Sequence, residues 1–296
     1  FQIKKLDDIN ININFLKFLR LKLLFLFSVF SFSTVAEVSK QVSTGLSNEL
    51  VKSINAAVDT DIERLQKIFK DIHQNPELGF METRTAAIVA KELKALGYEV
   101  KTGIGKTGVV GIMKNGKGPT VMYRADMDAN SVEELTGLPY ASKVRVKMPD
   151  GSESPVAHMC GHDAHTTWLI SLAKTMVTLK DKWSGTLVLV AQPAEELIEG
   201  ATAMAKDGLF TKHEVPKPQY LIGQHTAPIP TGIVLGSGGL LQAGTEQLDV
   251  TFHGVGGHGS SPQFTKDPVI MGAYAVTQYQ AIVSRVIDPR DMGVVT

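Results

Sequence analysis

The residue types that most often carry chemistry are concentrated in one short segment, HMCGHDAH, at residues 158–165. It contains three histidines, an aspartate and the only cysteine among 296 residues. Residues two apart in an extended segment face the same way, so His158, Cys160 and His162 can share one direction. Thiolate, imidazole and carboxylate groups together suit zinc, manganese, cobalt or similar ions. A cysteine nucleophile with a histidine base, or a polar loop without chemistry, would also contain these residue types.

Three further polar clusters follow predicted buried strands. Asp126 and Asp128 lie in RADMDA, Glu195 and Glu196 lie in QPAEE, and His225 lies in GQHTAP. Taken singly, each has an ordinary structural explanation, such as a loop cap, a charge that favours a helix N-terminus, or a hydrogen-bonded histidine. All four clusters, however, fall at predicted strand ends, where open α/β sheets place their sites. This coincidence favours a metal site, because a cysteine nucleophile would leave Glu195, Glu196 and His225 without a role.

The elements that position these clusters are predicted from hydrophobic periodicity. Apolar residues with helical spacing predict helices at residues 59–75, 83–97, 161–180, 201–207 and 267–286. Apolar runs predict two strands around an Asn115-Gly116 turn, which suits a hairpin. They also predict a strand in GTLVLVAQPAEE and a short buried strand that ends at His225. Strands that alternate with helices indicate an α/β core with a largely parallel sheet.

The character of the sequence changes near Gly244. TEQLDVTFHGV alternates polar and apolar residues, which predicts a half-exposed strand. A helix follows, and GVVT at the end of the chain predicts the start of another strand. We therefore expect three regions: an N-terminal extension with a signal peptide at 1–36, a catalytic metal-binding domain at 37–243, and a smaller second domain at 244–296 that stops within an element.

Composition and the N-terminus narrow the class of protein. Thirty basic and thirty acidic residues cancel, so no charge excess points to a nucleic-acid partner. Basic residues at 17–22, an apolar run at 23–32 and small residues at Thr34 and Ala36 form a secretory signal pattern. The apolar run is shorter than the roughly 20 residues that a membrane span needs. We expect an exported protein, periplasmic or secreted, without a stable membrane anchor.

The motifs RADMDA, HMCGHDAH, QPAEE, GQHTAP and GGHGSSP occur in this order, and with them the chain resembles the M20 metallopeptidases. The resemblance covers about residues 59–296 and is strongest to the branch of N-acyl-amino-acid amidohydrolases that includes hippurate hydrolases and plant auxin-conjugate hydrolases. It implies an α/β, zinc-peptidase-like catalytic domain with helices on both faces of a mixed, mostly parallel sheet. It also implies an inserted α+β lid domain, incomplete in this chain, through which a homodimer would form.

The resemblance assigns a role to each motif residue. It implies four metal ligands: Cys160, His162, Glu196 and His225. They would hold two divalent ions, zinc, manganese, cobalt or nickel, with Cys160 as the bridging ligand. Glu195 would be the general base, and Asp128 would orient a ligand imidazole. His258 would help to bind the substrate or stabilise the transition state.

The implied activity is metal-dependent hydrolysis of the amide bond of N-acyl amino acids or similar small conjugates, which are the expected partners. The family's remaining metal ligand is a histidine beyond the lid, and none follows His258 in this chain. An inactive, truncated fragment of such an enzyme is therefore an alternative. A cysteine-nucleophile hydrolase is a further alternative, and it predicts activity in the presence of a chelator.

The expected roles of Asp163 and of four other histidines are less specific. Asp163 and His165 fit a structural role as well as a role at the metal site. His73 is expected to fix a loop or line the cleft, and His213 and His253 are interpreted as surface residues.

Overall fold

A computed structural model of the chain describes residues 46–148, 150–236 and 244–296. The predicted signal peptide lies outside the described residues. The chain divides into two compact units, an N-terminal unit (Phe1–Ala227) and a C-terminal unit (Pro228–Thr296). The domain boundary at 243/244 stays a prediction. Within the described ranges, no helix combines the length and the apolar character needed to cross a membrane.

The N-terminal unit consists of helices around a central sheet. Its helices are α1 (Asn48–Asp59), α2 (Ile62–Gln74), α3 (Thr83–Ala95), α4 (His162–Thr178) and α5 (Gly200–Lys206). Its strands are β1 (Glu99–Ile104), β2 (Gly108–Asn115), β3 (Thr120–Asp126), β4 (Arg145–Lys147), β5 (Glu153–Pro155), β6 (Gly185–Gln192) and β7 (Tyr220–Gly223). Strands β4 and β5 pair with each other in a separate two-stranded sheet. The four helices predicted from periodicity between residues 59 and 207 are all present, and α1 was not among the predicted helices.

The central sheet has the order β1-β2-β6-β3-β7. The pairs β1–β2 and β2–β6 are antiparallel, whereas β6–β3 and β3–β7 are parallel. The predicted α/β class with a mixed sheet is confirmed, with half of these pairings parallel. Because β6, β3 and β7 run in the same direction, their C-terminal ends meet at one edge, where polar loops can converge.

The predicted hairpin around Asn115-Gly116 is wrong. Strands β2 and β3 both form, but β6 lies between them and pairs with each. Strand β2 instead makes its hairpin with β1, which the sequence analysis did not identify. The apolar residues of β6 are buried on both faces, and the centre of the sheet is the position that buries both. Burial of β6 therefore outweighs the local turn signal.

Helices cover both faces of the sheet, and alternate strand residues contribute to each side. One buried cluster joins Leu65, Leu93 and Leu169 of three helices to strand residues such as Val109 and Leu189. The opposite cluster takes the residues between them, including Val110 and Val188, and packs them against Met204 of α5. The twofold alternation of a strand explains why β2 and β6 are apolar at nearly every position.

Leu93 is the residue at which we expect core packing to matter most in α3. It is fully buried, and a Cβ atom added at Gly111 of β2 would lie 2.8 Å from its Cδ1 atom. Leu93→Ala should lower the free energy of unfolding by about 2–5 kcal/mol, because it removes apolar contacts and leaves a cavity. Urea denaturation measures this change. Leu135→Ala, at a side chain that is 87% exposed, should change the value by less than about 0.5 kcal/mol. Equal effects would contradict the packing described.

The strand before His225 differs from its prediction in two ways. It ends at Gly223, two residues before the histidine, and its residues are exposed rather than buried. Strand β7 pairs with β3 along one side and, among the described strands, has no neighbour on the other. An edge position leaves Leu221 and Ile222 accessible to solvent, despite their apolar character.

In the C-terminal unit, the helix was predicted correctly and the strands were not. Helix α6 (Pro268–Ala281) continues into a π-helical turn at Ile282–Val286, and Asp267 caps its N-terminus through the N–H groups of Val269 and Ile270. The segments TEQLDVTFHGV and GVVT are not strands in the described residues, where Val255 forms only an isolated bridge with Lys266. A strand requires a partner for its ladder of hydrogen bonds, and alternation alone does not supply one.

Candidate active site

The four polar clusters of the sequence meet at the C-terminal edge of the parallel strands. Asp126 ends β3, Glu195 and Glu196 follow β6, His225 follows β7, and His162 opens α4. Three groups of side chains each bring their ligand atoms within 4.8 Å of one another: Cys160 with His162 and His225, His162 with Glu195 and Glu196, and Asp126 with His162 and His165. His162 belongs to all three, so it is the centre of the site.

His162 is fully buried and only one of its ring nitrogens is satisfied. Nδ1 lies 3.2 Å from Oδ1 of Asp128, a carboxylate that can only accept, so Nδ1 carries a proton. Nε2 is buried without a hydrogen-bonding partner among the described residues. It lies 3.7 Å from a carboxylate oxygen of each of Asp126, Glu195 and Glu196. These separations are too long for hydrogen bonds, and they match the spacing of about 3.4–3.7 Å between atoms that bind one ion with bonds near 2.1 Å.

The charges around His162 favour a cation. Burial alone would lower the pKa of His162, but the hydrogen bond with Asp128 and the charges of Asp126 and Glu196 raise it overall. The position is therefore one at which positive charge is stabilised. A divalent cation would compete with the proton for the same nitrogen. The orphaned nitrogen and the donor set together fit a metal site.

Cys160 and His225 form the other side of the cluster. Sγ of Cys160 lies 3.4 Å from Nε2 of His225. Nδ1 of His225 donates to the carbonyl oxygen of Thr226 at 2.6 Å, which leaves Nε2 as the nitrogen with a lone pair. Asn130 holds the Cys160 backbone, because its Oδ1 accepts from the Cys160 N–H at 3.2 Å. Gly161 has φ +81°, and an added Cβ would lie 2.4 Å from Oγ1 of Thr226, so this close approach requires glycine.

The surroundings of Cys160 do not suit a nucleophile. Burial raises the pKa of the Cys160 thiol to about 12, and the charges of Glu196, Glu195 and Asp126 add to the rise. Reactive cysteines lie instead in electropositive surroundings that lower the pKa. A cation bound at the site would supply the missing positive charge and favour the thiolate. These negative charges, rather than the distance between Cys160 and His225, favour a metal ligand over the cysteine-hydrolase alternative.

The loop that presents Glu195 and Glu196 is tightly folded. Ala194 and Ile198 have φ of +46° and +58°, a region that costs about 1–2 kcal/mol for each non-glycine residue. The carbonyl oxygen of Ala194 accepts from the Gly200 N–H at 3.0 Å. A Cβ at Gly200 would lie 1.6 Å from the carbonyl oxygen of Pro193. Asp128 supports the loop as well, since its Oδ2 accepts from the Glu196 N–H at 2.9 Å.

Asp126 and His165 form a buried pair that the sequence analysis did not assign. Nε2 of His165 accepts from the Thr226 N–H at 2.9 Å, so Nδ1 carries the proton that it shares with Oδ1 of Asp126 at 2.6 Å. Burial alone would raise the pKa of Asp126, but the bond with His165 and the charges of His162 and Arg124 lower it to about 2. Both nitrogens of His165 are engaged, so it anchors the segment after β7 rather than offering a free ligand atom.

A second buried polar cluster lies beside the first. Nδ1 of His73 contacts Oδ2 of Asp163 at 2.6 Å, and its Nε2 contacts Oε1 of Glu134 at 3.1 Å. The hydrogen bond with Asp163 raises the pKa of His73 against the effect of burial, and Glu134 adds to the rise. Through these two contacts, His73 fixes the loop that contains Glu134.

His158 is buried with neither ring nitrogen hydrogen-bonded to a described residue, and burial lowers its pKa to about 4.

The remaining histidines lie away from this cluster or in the other unit. Nε2 of His213 contacts Oδ2 of Asp207 at 3.0 Å, a partner that the sequence did not indicate. His253 and His258 belong to the C-terminal unit, and both are exposed. Nδ1 of His258 accepts from the Ser260 N–H at 3.2 Å and contacts the Ser260 hydroxyl oxygen at 2.8 Å, so this ring nitrogen is engaged within the GGHGSSP segment.

Comparison with known proteins identifies the family of this chain. A family model described as peptidase family M20/M25/M40 matches residues 122–293. Hippurate hydrolase of Campylobacter jejuni is 42% identical over 234 residues, which cover 78% of this chain and 57% of the relative. IAA-amino acid hydrolase ILR1-like 2 of Arabidopsis thaliana is 37% identical over 276 residues, which cover 93% and 58%.

A solved structure shares the fold. A crystal structure from methicillin resistant Staphylococcus aureus, designated an aminohydrolase, superimposes with a TM-score of 0.62 at 31% identity. The match covers 83% of this chain and 62% of that chain. The chain spans about three fifths of the length of the curated relatives named above. Because the family model matches more than half of the sequence, the chain belongs to the M20/M25/M40 peptidase family.

Proposed function

We propose that this protein hydrolyses the amide bond of an N-acyl amino acid or a similar small conjugate, with a metal-activated water. The observation that carries the proposal is the buried, unpartnered Nε2 of His162, which faces the carboxylates of Glu195 and Glu196. The substrate class follows the names of the relatives, one a hippurate hydrolase and the other an IAA-amino acid hydrolase. Because the chain spans only part of their length, the activity is proposed for the protein as a whole.

The proposed metal ligands are Cys160, His162, Glu196 and His225, which would hold two divalent ions. Their thiolate, imidazole and carboxylate groups accommodate zinc, manganese, cobalt or nickel. When bound, the metal supplies a Lewis acid for the scissile carbonyl and lowers the pKa of the attacking water. Asp128 orients His162, and the carbonyl oxygen of Thr226 orients His225, so that each ring directs Nε2 toward the cluster.

Glu195 is the proposed general base. Its side chain is 39% exposed, so water can reach the carboxylate. Burial raises the pKa of Glu195, the charge of His162 opposes the rise, and the charges of Asp126 and Glu196 add to it. A pKa raised toward the working pH makes a carboxylate a more effective base. Glu195 would take a proton from the attacking water and return it to the leaving amine, while the adjacent Glu196 is the proposed metal ligand.

His258 is the proposed donor to the developing oxyanion. Ser260 engages Nδ1, so Nε2 is the ring nitrogen that would donate. A hydrogen bond that strengthens as the carbonyl oxygen gains charge lowers the barrier. The role is assigned from the GGHGSSP motif, and a homodimer through the segment 244–296 stays a proposal with it.

Removal of metal is the test of this function. Incubation with excess 1,10-phenanthroline should abolish hydrolysis of hippurate, and addition of zinc, manganese or cobalt after removal of the chelator should restore it. Hippurate cleavage is measured by release of glycine. Phenanthroline saturated with zinc beforehand is the control and should not inhibit. Full activity in excess chelator would contradict the metal mechanism and would favour the cysteine-hydrolase alternative.

The inactive-fragment alternative makes a separate prediction about folding. A chain that binds metal in its folded state gains stability from it, by about 2.7 kcal/mol at a concentration 100 times the Kd. A cooperative thermal transition that moves to higher temperature with added zinc would therefore argue against a non-functional fragment. A broad transition that is insensitive to zinc would favour the fragment.

A further inference from the structure

Glu82 is a carboxylate with no solvent exposure, and none of the sequence motifs includes it. Burial of an ionisable group is unfavourable unless hydrogen bonds replace its hydration. The partners of this carboxylate therefore show what the fold uses it for. Burial raises the pKa of Glu82, and hydrogen bonds from Thr107 and Ala194 oppose the rise.

Two donors from distant parts of the chain reach the Glu82 carboxylate. The backbone N–H of Ala194 donates to Oε1 at 2.7 Å, and the hydroxyl of Thr107 donates to Oε2 at 2.6 Å. Ala194 is 112 positions away along the chain and directly precedes Glu195. The bond therefore joins the start of α3 to the loop that presents the proposed base.

Helix α3 does not use the Glu82 side chain for capping. Glu82 occupies the N-cap position, yet its side chain makes no capping hydrogen bond. Two N–H groups of the first turn are satisfied instead by Glu77, whose carboxylate accepts from Arg84 at 2.9 Å and from Thr85 at 2.8 Å. Capping of α3 therefore does not explain why a carboxylate is buried at position 82.

Glu82 holds Ala194, whose backbone conformation is unfavourable for a residue other than glycine. Ala194 has a positive φ, a conformation that alanine adopts only when its surroundings impose it. Asp128 holds the other side of Glu195 through the Glu196 N–H. Two carboxylates, one on each side, thus fix the backbone from which the Glu195 side chain leaves.

We propose that Glu82 is a positioning residue, which sets the direction of Glu195 and Glu196 by holding the backbone N–H of Ala194. The inference rests on the proposed function for the roles of the two glutamates. Glu82 itself touches neither substrate nor metal in this scheme. A misplacement of about 1 Å can lower turnover by about 10²-fold, so loss of this one bond should be visible in kcat.

Two conservative variants separate the hydrogen bond from the charge. Glu82→Asp keeps the charge but withdraws the acceptor from Ala194, whereas Glu82→Gln keeps the length and an acceptor oxygen. We expect Glu82→Asp to lower kcat by about 10- to 100-fold with KM within about threefold, and Glu82→Gln to stay within about fivefold of the unsubstituted protein. The absorption bands of the cobalt-loaded protein report ligand geometry directly, and they should shift in Glu82→Asp but not in Glu82→Gln.

Asp61 provides the matched control. It is also a buried carboxylate, and its partners Arg64 and Lys174 lie on α2 and α4. Asp61→Asn should lower stability but leave the cobalt bands and kcat unchanged. A Glu82→Asp protein with the original cobalt bands and kcat would overturn the proposal, as would a Glu82→Gln protein that is equally impaired. The bands do not depend on the substrate, so an error in substrate class leaves this test intact. Absence of cobalt bands from the unsubstituted protein would overturn the proposed function and this inference with it.

Discussion

Glu195→Gln should lower kcat for amide hydrolysis by about 10²- to 10⁴-fold, the range that general-base catalysis contributes. The amide of Gln cannot accept the proton of the attacking water, although it has nearly the shape of the carboxylate. Stoichiometric metal should remain, because Glu195 is not one of the proposed ligands. Steady-state kinetics with hippurate and elemental analysis of the purified protein measure the two quantities on the same sample.

Glu199→Gln is the matched control for this change. Glu199 lies in the same loop, four residues after Glu195, and its backbone N–H bonds to the carbonyl oxygen of Ala194 at 3.3 Å. Its side chain has no proposed role, so the variant should keep kcat and metal content. A Glu195→Gln protein that loses its metal would show that Glu195 is a ligand rather than the base. Retention of full turnover would place the base elsewhere.

The candidate site could be found from the sequence because its residues come in clusters beside recognisable strands. RADMDA and QPAEE each follow an apolar run, and parallel neighbours bring such ends together. The supporting residues could not be found in this way. Asn130 and Glu82 are single polar residues whose partners lie far along the chain, as the 112 positions between Glu82 and Ala194 illustrate, and the pairing of Asp126 with His165 spans 39 positions. No local spacing distinguishes such a residue from an ordinary surface carboxylate or amide.

The existence of β2, β3 and β6 was predictable, whereas their partnership was not. The apolar runs of β2 and β3 mark both strands, and Asn115-Gly116 is a turn signal, yet β6 occupies the place between them. A local turn contributes little compared with burial of both faces of an eight-residue apolar strand. The same reasoning explains TEQLDVTFHGV, in which alternation indicates a strand but the described residues supply no partner for a ladder.

His162→Asn should abolish stoichiometric metal binding and lower kcat/KM by about 10³-fold or more, since the Lewis-acid contribution of a metal is several kcal/mol and each 1.36 kcal/mol is tenfold in rate. Asn places an amide donor near the position of Nδ1, so the bond to Asp128 can persist while Nε2 is lost. Titration calorimetry with zinc measures the binding. The shift of the thermal transition on adding zinc provides a reading that does not depend on activity.

His165→Asn is the comparison that makes this result specific. His165 lies one turn further along α4, is equally buried, and has both nitrogens engaged, by Asp126 and by the Thr226 N–H. Its replacement loosens the segment that carries His225, so metal affinity should fall by about 10- to 100-fold, as for other residues that orient a ligand, without being lost. If His165→Asn removed metal as completely as His162→Asn, His165 would itself be a ligand. If His162→Asn kept its zinc, the centre assigned to Nε2 of His162 would be wrong.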